Sequence, residues 1–482
     1  MPIRSTKQPS ELLNNIGRSP ALLHRILAVL TAFFAILIPA ILVILLIPNV
    51  GRGAWDATVY HEPFIRQLAQ DLFKPDLSNP LTATTPGYHI LMACLVAIGA
   101  GSVTILRIAS AFIGAMFIAL LCSWLVKRVR PLDALLLSIP IACSIYTFQA
   151  AAWLLPDNLA WLGVLAIIAM CLRDAPGWKT ISIAGAVLAA LVLTRQVHLW
   201  AASVIWLAAW LGVRENNAGL FTNLSARIPR TLIAMLITLP AFGAVAWFIN
   251  HWGGAVPPRF QGDMSGGNPA TPGFILVQTV ILTVGFGPWL LPACLKLLRD
   301  HRRVALLAIS IGLVLAIIPT TTLDPDAGRY SGWWAIVGKA PVLIGRTSIV
   351  FLVLAPIGAL IIAGALSTIS HRARWTLLGA LVAFAVAQSA TAYSWQRYHE
   401  PFLILLLGML AALQPSELRL TPLAKLRIPA MLALCFGLVA ISMGGLRGEP
   451  VVPGTPPPPE HTSPTDPWFD PESAPGTQIE DE

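Results

Sequence analysis

Residues 26–47 read ILAVLTAFFAILIPAILVILLI, and these 22 residues include no charged side chain. A membrane-spanning helix needs roughly 20 consecutive apolar residues, whereas the apolar region of a cleavable signal peptide has only about 7–15. We therefore predict a first permanent membrane span near 24–48, preceded by a cytoplasmic N-terminus of residues 1–23.

The composition of the whole chain also indicates a membrane protein. Of 482 residues, 56% are hydrophobic and 11% are charged, whereas a soluble domain has about 25% charged residues. So much apolar surface does not fit into aqueous cores, and we predict an all-α integral membrane protein. The net charge of +9 comes from small basic clusters between apolar segments. That arrangement is typical of topology signals and argues against a nucleic-acid partner.

Similar apolar segments recur between residues 24 and 446, which we predict to form one polytopic transmembrane domain of about 13 helices. The predicted spans lie near 24–48, 105–126, 133–150, 157–172, 180–194, 197–213, 230–249, 273–295, 304–320, 347–367, 375–392, 400–414 and 428–446. Six cysteines are scattered through these segments without the spacing of a metal site, so we expect no metal there. We find no internal repeat, which disfavours a transporter built from repeated halves.

The stretch 49–104 decides the topology. Its apolar piece, 90–100, is too short to cross a membrane, and we predict an interfacial helix within one long first outer loop. With this choice, 21 of the 32 Lys and Arg residues fall on the cytoplasmic side and 17 of the 23 Asp and Glu residues on the other side. This distribution follows the positive-inside rule. The end of the chain, 447–482, is rich in Pro and acidic residues and is predicted to be a disordered tail.

The predicted outer loops are rich in polar and aromatic residues, whereas the cytoplasmic loops contain mostly Arg, Lys and Leu. Most single His or Trp residues in such loops need no special explanation, since aromatic side chains favour membrane interfaces. Asp157 and Arg195 are different. Both lie at the edge of an apolar segment, where a charge is costly and usually faces a protein cavity.

This one-sided layout suits the transfer of a sugar carried on a polyprenyl phosphate. The reaction needs a base that takes the proton of the acceptor hydroxyl, and Asp56 is the best-placed carboxylate. It also needs cations for the departing phosphate, which Arg binds through bidentate hydrogen bonds. Candidates for this phosphate site are Arg195, Arg329 and Arg397, with Lys339 and Arg346 behind them. Candidates for sugar or acceptor binding are His61, Glu62, Tyr88, Asp157, Asp326 and Trp333, and Trp55 and Trp334 could also stack on sugar rings.

These residues resemble motifs of the GT-C superfamily of polyprenyl-phosphate-sugar-dependent glycosyltransferases. The chain is most similar to the dolichyl-phosphate-glucose α-1,2-glucosyltransferase family of the lipid-linked oligosaccharide pathway. The matching segments, in order, are Asp56 with His61 and Pro63; Thr84-Thr85-Pro86-Gly87-Tyr88; Arg195-Gln196-Val197-His198; Asp324-Pro325-Asp326-Ala327-Gly328-Arg329-Tyr330; and Arg397-Tyr398. The resemblance implies a GT-C-like fold and an inverting hexose transfer with Asp56 as base and without a required metal or cofactor.

The sequence also departs from that family. The spacing from Asp56 to His61 is one residue longer, Ala57 replaces an acidic residue, and His198 replaces Asn, so the sugar and the acceptor stay open. Two other functions also stay open: a secondary transporter or lipid flippase, and an O-antigen-ligase-type glycan transferase. The expected location is a bacterial cytoplasmic membrane with the site facing outside, rather than the endoplasmic reticulum.

Overall fold

A computed structural model describes residues 20–173, 175–213, 221–264, 266–330 and 332–444. The predicted disordered tail, 447–482, and nearly all of the predicted cytoplasmic N-terminus, 1–23, lie outside these described residues. Within them most residues are helical, and the one sheet is a two-stranded antiparallel hairpin. The structure therefore has the all-α character predicted from the sequence.

The first half of the described chain begins with the first apolar helix and ends before residue 214. Its helices are α1 (Pro20–Leu46), α2 (Gly51–Asp56), a π-helix (Ala57–His61), α3 (Glu62–Gln70), α4 (Gly87–Ala97), α5 (Val103–Leu125), α6 (Pro131–Cys143), α7 (Ile145–Ala152), α8 (Asp157–Cys171), α9 (Trp178–Thr194), a 3-10 helix (Gln196–Trp200) and α10 (Ala201–Trp210).

The second half contains the longest helices and the hairpin. Its elements are α11 (Leu224–Trp252), a 3-10 helix (Pro258–Phe260), α12 (Gln261–Met264), α13 (Thr271–Asp300), α14 (Arg302–Ile317), α15 (Trp334–Gly338), β1 (Val342–Leu343), β2 (Thr347–Ser348), α16 (Ile349–Ser367), α17 (His371–Ser389), α18 (Gln396–Leu413), α19 (Ser416–Arg419), a 3-10 helix (Pro422–Leu426) and α20 (Arg427–Gly444).

Six helices among the described residues are long and apolar enough to cross a membrane by themselves. They are α1, α5, α11, α13, α16 and the helical segment Pro422–Gly444 that contains α20. The pair α6 and α7, bent by 70° at Ser144, makes a seventh if it counts as one span. Each of the predicted spans overlaps a helix of the structure. The protein is therefore an all-α membrane protein, and its described residues include six or seven helices that are long and apolar enough to cross a membrane.

Glycines bring the long helices of the second half together. A Cβ atom at Gly312 of α14 would lie 2.6 Å from the carbonyl oxygen of Ala355 in α16, and one at Gly364 of α16 would lie 2.7 Å from Cα of Cys294 in α13. Small residues of this kind let membrane helices approach closely, because packing and not hydrophobic exclusion holds them together in lipid. The outward faces of α1, α11 and α20 carry exposed aliphatic and aromatic side chains such as Leu236 and Phe436, as expected where lipid is the solvent.

Candidate functional site

Asp56 is the last residue of α2, which begins five residues after α1 ends. The backbone continues without a break into the π-helix and then α3, so residues 51–70 form one helical run after the first span. Such π-helical turns are rare and often occur at functional sites. Asp56 is 8% exposed, and its carboxylate faces a residue that is distant in sequence.

Arg397 is the main partner of Asp56. Its Nη1 atom donates a hydrogen bond of 2.8 Å to Oδ2 of Asp56 across 341 positions of sequence. Arg52 approaches the other carboxylate oxygen from one turn earlier in the helical run, with Nε 3.6 Å from Oδ1. Arg397 is the second residue of α18, so the first loop and the start of a late helix meet at this ion pair.

A second carboxylate joins the same group. Asp157, the first residue of α8, forms an ion pair with Nη1 of Arg195, and its Oδ2 lies 3.7 Å from Nη2 of Arg397. Arg397 therefore bridges Asp56 and Asp157. We call Asp56, Asp157, Arg195 and Arg397 the ion-pair cluster. Its two carboxylates and two guanidinium groups compensate one another, which is the usual condition for keeping charges where water is scarce.

Arg195 reaches the cluster because the helical structure is interrupted there. Its backbone is extended (φ −151°, ψ 110°) between the end of α9 and the following 3-10 helix. The Thr-Thr-Pro-Gly segment of the first loop packs against the same break. Thr85 donates through Oγ1 to the carbonyl oxygen of Val192 (2.7 Å), and Gln196 accepts a 3.2 Å bond from the backbone N–H of Thr85. Two segments that the sequence singled out separately are thus one structural unit.

Gly87 permits this packing. A Cβ atom at position 87 would lie 2.6 Å from the carbonyl oxygen of Leu193, so only glycine allows the loop to approach the end of α9 this closely. Tyr88, a predicted sugar or acceptor contact, is fully buried, and its hydroxyl hydrogen-bonds to Ser110 at 3.1 Å. In this structure Tyr88 anchors α4 to α5 and does not contact the ion-pair cluster.

A buried histidine pair lies beside the cluster. Nδ1 of His61 is 2.8 Å from Nε2 of His89, with both side chains buried. Burial lowers the pKa of His61 to about 4, and the neighbouring Asp56 opposes this shift only in part. The imidazole of His61 is therefore neutral at pH 7 and can donate or accept a hydrogen bond, but it does not add positive charge to the cluster.

This depressed pKa predicts a pH-dependent stability. Between pH 6.5 and 4 the unfolded chain binds a proton at His61 that the folded chain does not, so stability falls as the pH is lowered through this range. A shift from 6.5 to about 4 corresponds to roughly 3 kcal/mol. We expect His61→Gln to reduce the loss of thermal stability between pH 7 and 4, as measured by unfolding in detergent. An unchanged pH dependence in this variant would contradict the assignment.

Four other predicted site residues have described contacts with residues outside the ion-pair cluster. Arg329 donates to the carbonyl oxygen of Thr322 (2.8 Å) and to Oδ2 of Asp324 (2.9 Å), so its described partners belong to its own loop. Glu62 pairs with Arg66 at 2.8 Å on α3. Asp326 lies exposed in the turn of the same loop as Arg329, and Trp333 packs against the separate apolar cluster around Trp334.

An aromatic group extends from the cluster towards the Arg329 loop. Tyr398 lies beside the guanidinium of Arg195, at 5.5 Å from ring centroid to Cζ, and stacks on Trp395 at 5.4 Å. The ring centroids of Trp395 and Tyr330 lie 5.6 Å apart. Burial is the main cause that raises the pKa of Tyr330. On the other side, the guanidinium of Arg52 lies 4.9 Å from the ring of Trp55. Rings of this kind provide flat apolar faces beside charged groups.

Sequence reasoning did not single out Arg52 as a site residue and did not give Tyr398 or Trp395 a role. The signal for Arg52 was its position four residues before Asp56 on a helix, a spacing that places two side chains on one face. Several polar atoms around the site lack a hydrogen-bond partner among the described residues, including Nε1 of Trp55 and Nδ1 of His89 and of His198. Buried polar atoms of this kind call for a partner, and a polar ligand would supply one.

The described residues include no group of three or more His, Cys, Asp or Glu side chains arranged to hold a metal ion. The positive charge at the site comes from Arg52, Arg195 and Arg397. A comparison with protein-family models and with curated proteins finds no match to this chain.

Proposed function

We propose that this protein is a membrane glycosyltransferase that transfers a hexose, with inversion, from a polyprenyl-phosphate-linked donor to a lipid-linked glycan or another acceptor. The observation that supports the proposal is the position of Asp56. It lies in the helical run that follows the first apolar span and shares Arg397 with Asp157. A carboxylate beside guanidinium groups at the edge of the membrane is what a phosphate-linked lipid sugar would require.

The proposed reaction exchanges one bond for another at the anomeric carbon. The acceptor oxygen forms the new bond to this carbon while its proton passes to Asp56. The bond between the anomeric carbon and the phosphate oxygen breaks, and the polyprenyl phosphate leaves as a monoester. Because this leaving group carries its own negative charge, it needs cations and not a general acid.

Arg397 and Arg195 are the proposed cations for that phosphate. Asp56 and Asp157 balance their charges in this structure. A donor phosphate would share the guanidinium of Arg397 with these carboxylates, and this exchange would free Asp56 to accept a proton. Asp157 would hold Arg195 in place throughout. Arg329 is then a residue that shapes its loop, and Tyr398 and Trp395 are better placed than Trp333 to contact a sugar ring.

The same proposal includes about 13 spans in a GT-C-like arrangement, with the active site on the outer face of a bacterial cytoplasmic membrane. The distribution of basic residues supports this orientation. Arg25 and Arg427 stand at the start of α1 and α20, and the basic 127–130 turn follows the end of α5. These elements lie at the opposite end of α1 from Asp56. A positive end opposite the site is what the positive-inside rule expects.

The test is a transfer assay with the purified full-length chain in proteoliposomes. Radiolabelled glucosyl-, mannosyl- and galactosyl-phosphate polyprenols are offered separately, with native membrane lipids as the acceptor source. We expect one donor to be consumed, with its label in a new glycolipid and release of polyprenyl phosphate. Movement of substrate across the bilayer without a covalent product would instead establish a transporter or flippase. Consumption of only a pyrophosphate-linked glycan would establish a ligase-type enzyme.

A further inference from the structure

A cavity of about 960 Å³ lies at the opposite end of the protein from the ion-pair cluster. It is formed by the start of α1, the 126–130 turn after α5, the start of α6, α19 and the start of α20. The 27 residues of α1 separate the two ends by roughly 40 Å. The cavity therefore belongs to the other face of the membrane and is not part of the proposed active site.

The lining of this cavity is strongly basic. Its cationic side chains are Arg25, Lys127, Arg128, Arg130, Arg419 and Arg427, against one carboxylate, Asp133. The six cations and one carboxylate give a net charge of +5 with His24 neutral. That carboxylate is already engaged, because Oδ2 of Asp133 lies 3.0 Å from Nε of Arg130 and its Oδ1 lies 3.2 Å from Nη1 of Arg427.

One of these cations is buried and only partly satisfied. Arg427 is 4% exposed, and its Nε atom is buried without a hydrogen-bond partner among the described residues. A buried guanidinium with a free donor favours an anionic ligand, since an unmade hydrogen bond from a charged group is expensive. Arg25 and Lys127 are exposed, and the described residues offer neither of them an ion-pair or hydrogen-bonding partner. The cavity thus has more positive charge than the protein itself neutralises.

The same cavity is also lined by aliphatic side chains. Leu27 on α1 and Leu132 on α6 are 49% and 54% exposed, and Leu135 lies one turn after Leu132. A soluble phosphate ion would not contact these aliphatic side chains. A phospholipid would contact both parts of the cavity, its phosphate the basic side chains and its acyl chains the aliphatic ones. Basic sites between membrane helices on the cytoplasmic side bind lipid headgroups in this way.

We propose that this cavity binds the headgroup of an anionic phospholipid from the leaflet opposite the active site. The phosphodiester contacts Arg427 and Lys127, and the acyl chains lie along Leu27 and Leu132. This binding does not depend on glycosyl transfer and can be tested without a sugar donor.

The experiment compares lipid retention by the full-length chain. Protein purified from mixed vesicles of phosphatidylglycerol and phosphatidylcholine is analysed by native mass spectrometry, and the bound lipids are counted. The test variant, Arg25→Gln with Lys127→Gln, removes two exposed charges of the cavity. The matched control, Arg302→Gln with Arg303→Gln, removes two exposed charges at the start of α14, outside the cavity. A third arm adds soluble glycerol phosphate as a competitor.

We expect preferential retention of phosphatidylglycerol by the parent protein and by the control variant. In the test variant the preference should fall about tenfold, since each lost basic residue weakens attraction to an anionic lipid. Glycerol phosphate should not displace the lipid. An equal fall in the control variant would show a general charge effect and overturn the site. Displacement by glycerol phosphate would show a soluble-phosphate site and overturn the lipid assignment.

Discussion

Replacing Asp56 with asparagine is expected to reduce hexose transfer by a factor of about 10²–10⁴, the usual loss when a general base is removed. The amide is nearly the same size as the carboxylate and can still accept a hydrogen bond from Nη1 of Arg397, which lies 2.8 Å from Oδ2. It cannot take the proton of the acceptor hydroxyl. Arg397 also keeps its contact with Asp157, so the change should affect chemistry more than folding.

The measurement is the initial rate of transfer from the radiolabelled lipid donor, together with the thermal unfolding midpoint of each protein. Asp76→Asn is the matched control. Asp76 lies exposed in the same long loop, and its Oδ1 accepts a bond from the backbone N–H of Ser78. We expect the parent rate in this control. A rate near the parent value in Asp56→Asn would show that the base is another residue. A slow variant that also unfolds early would show a structural role.

Much of the fold was predictable from hydropathy alone. An apolar run such as 26–47 has no alternative to a helix in lipid, because every backbone polar group must be satisfied within the segment. The 90–100 piece, too short to cross, lies mostly in the helix Gly87–Ala97. Hydropathy did not predict the 70° bend between α6 and α7. At that bend Ser144 has an extended backbone, and its hydroxyl donates a hydrogen bond to the buried Glu400.

Only part of the residue set of the candidate site was predictable, and its geometry was not. Charges at the edges of apolar segments identified Asp157 and Arg195, because such charges are stable only when they are paired. The pairing of Asp56 with Arg397 spans 341 positions and depends on how the helices pack, which no local pattern encodes. The sequence predicts Arg329 and Arg397 equally as phosphate-binding residues. In the structure, the guanidinium of Arg329 binds Asp324, five residues earlier. A local partner closes a short loop at little entropic cost and competes with a distant site.

Replacing Arg397 with lysine is expected to reduce kcat/KM for the lipid donor by about 100-fold. Arg397 contacts Asp56 through Nη1 and Asp157 through Nη2, and a planar guanidinium can serve two acceptors and a phosphate in one fixed geometry. A lysine keeps the charge but offers a single ammonium, so it cannot replace this arrangement. Each charge-assisted hydrogen bond lost costs about 1.5–3 kcal/mol. A loss of this size corresponds to a factor of roughly 10–200 in rate.

Arg329→Lys is the comparison that separates the two guanidinium groups. The described partners of Arg329 lie in its own loop. We therefore expect Arg329→Lys mainly to lower the unfolding midpoint and to reduce the transfer rate less than tenfold. Rates measured over a range of donor concentrations give KM and kcat for both variants. If Arg329→Lys abolished transfer while Arg397→Lys did not, the phosphate site would belong to the 324–330 loop and the ion-pair cluster would be structural. The proposed site requires the opposite order, because of these two arginines it is Arg397 that pairs with the proposed base.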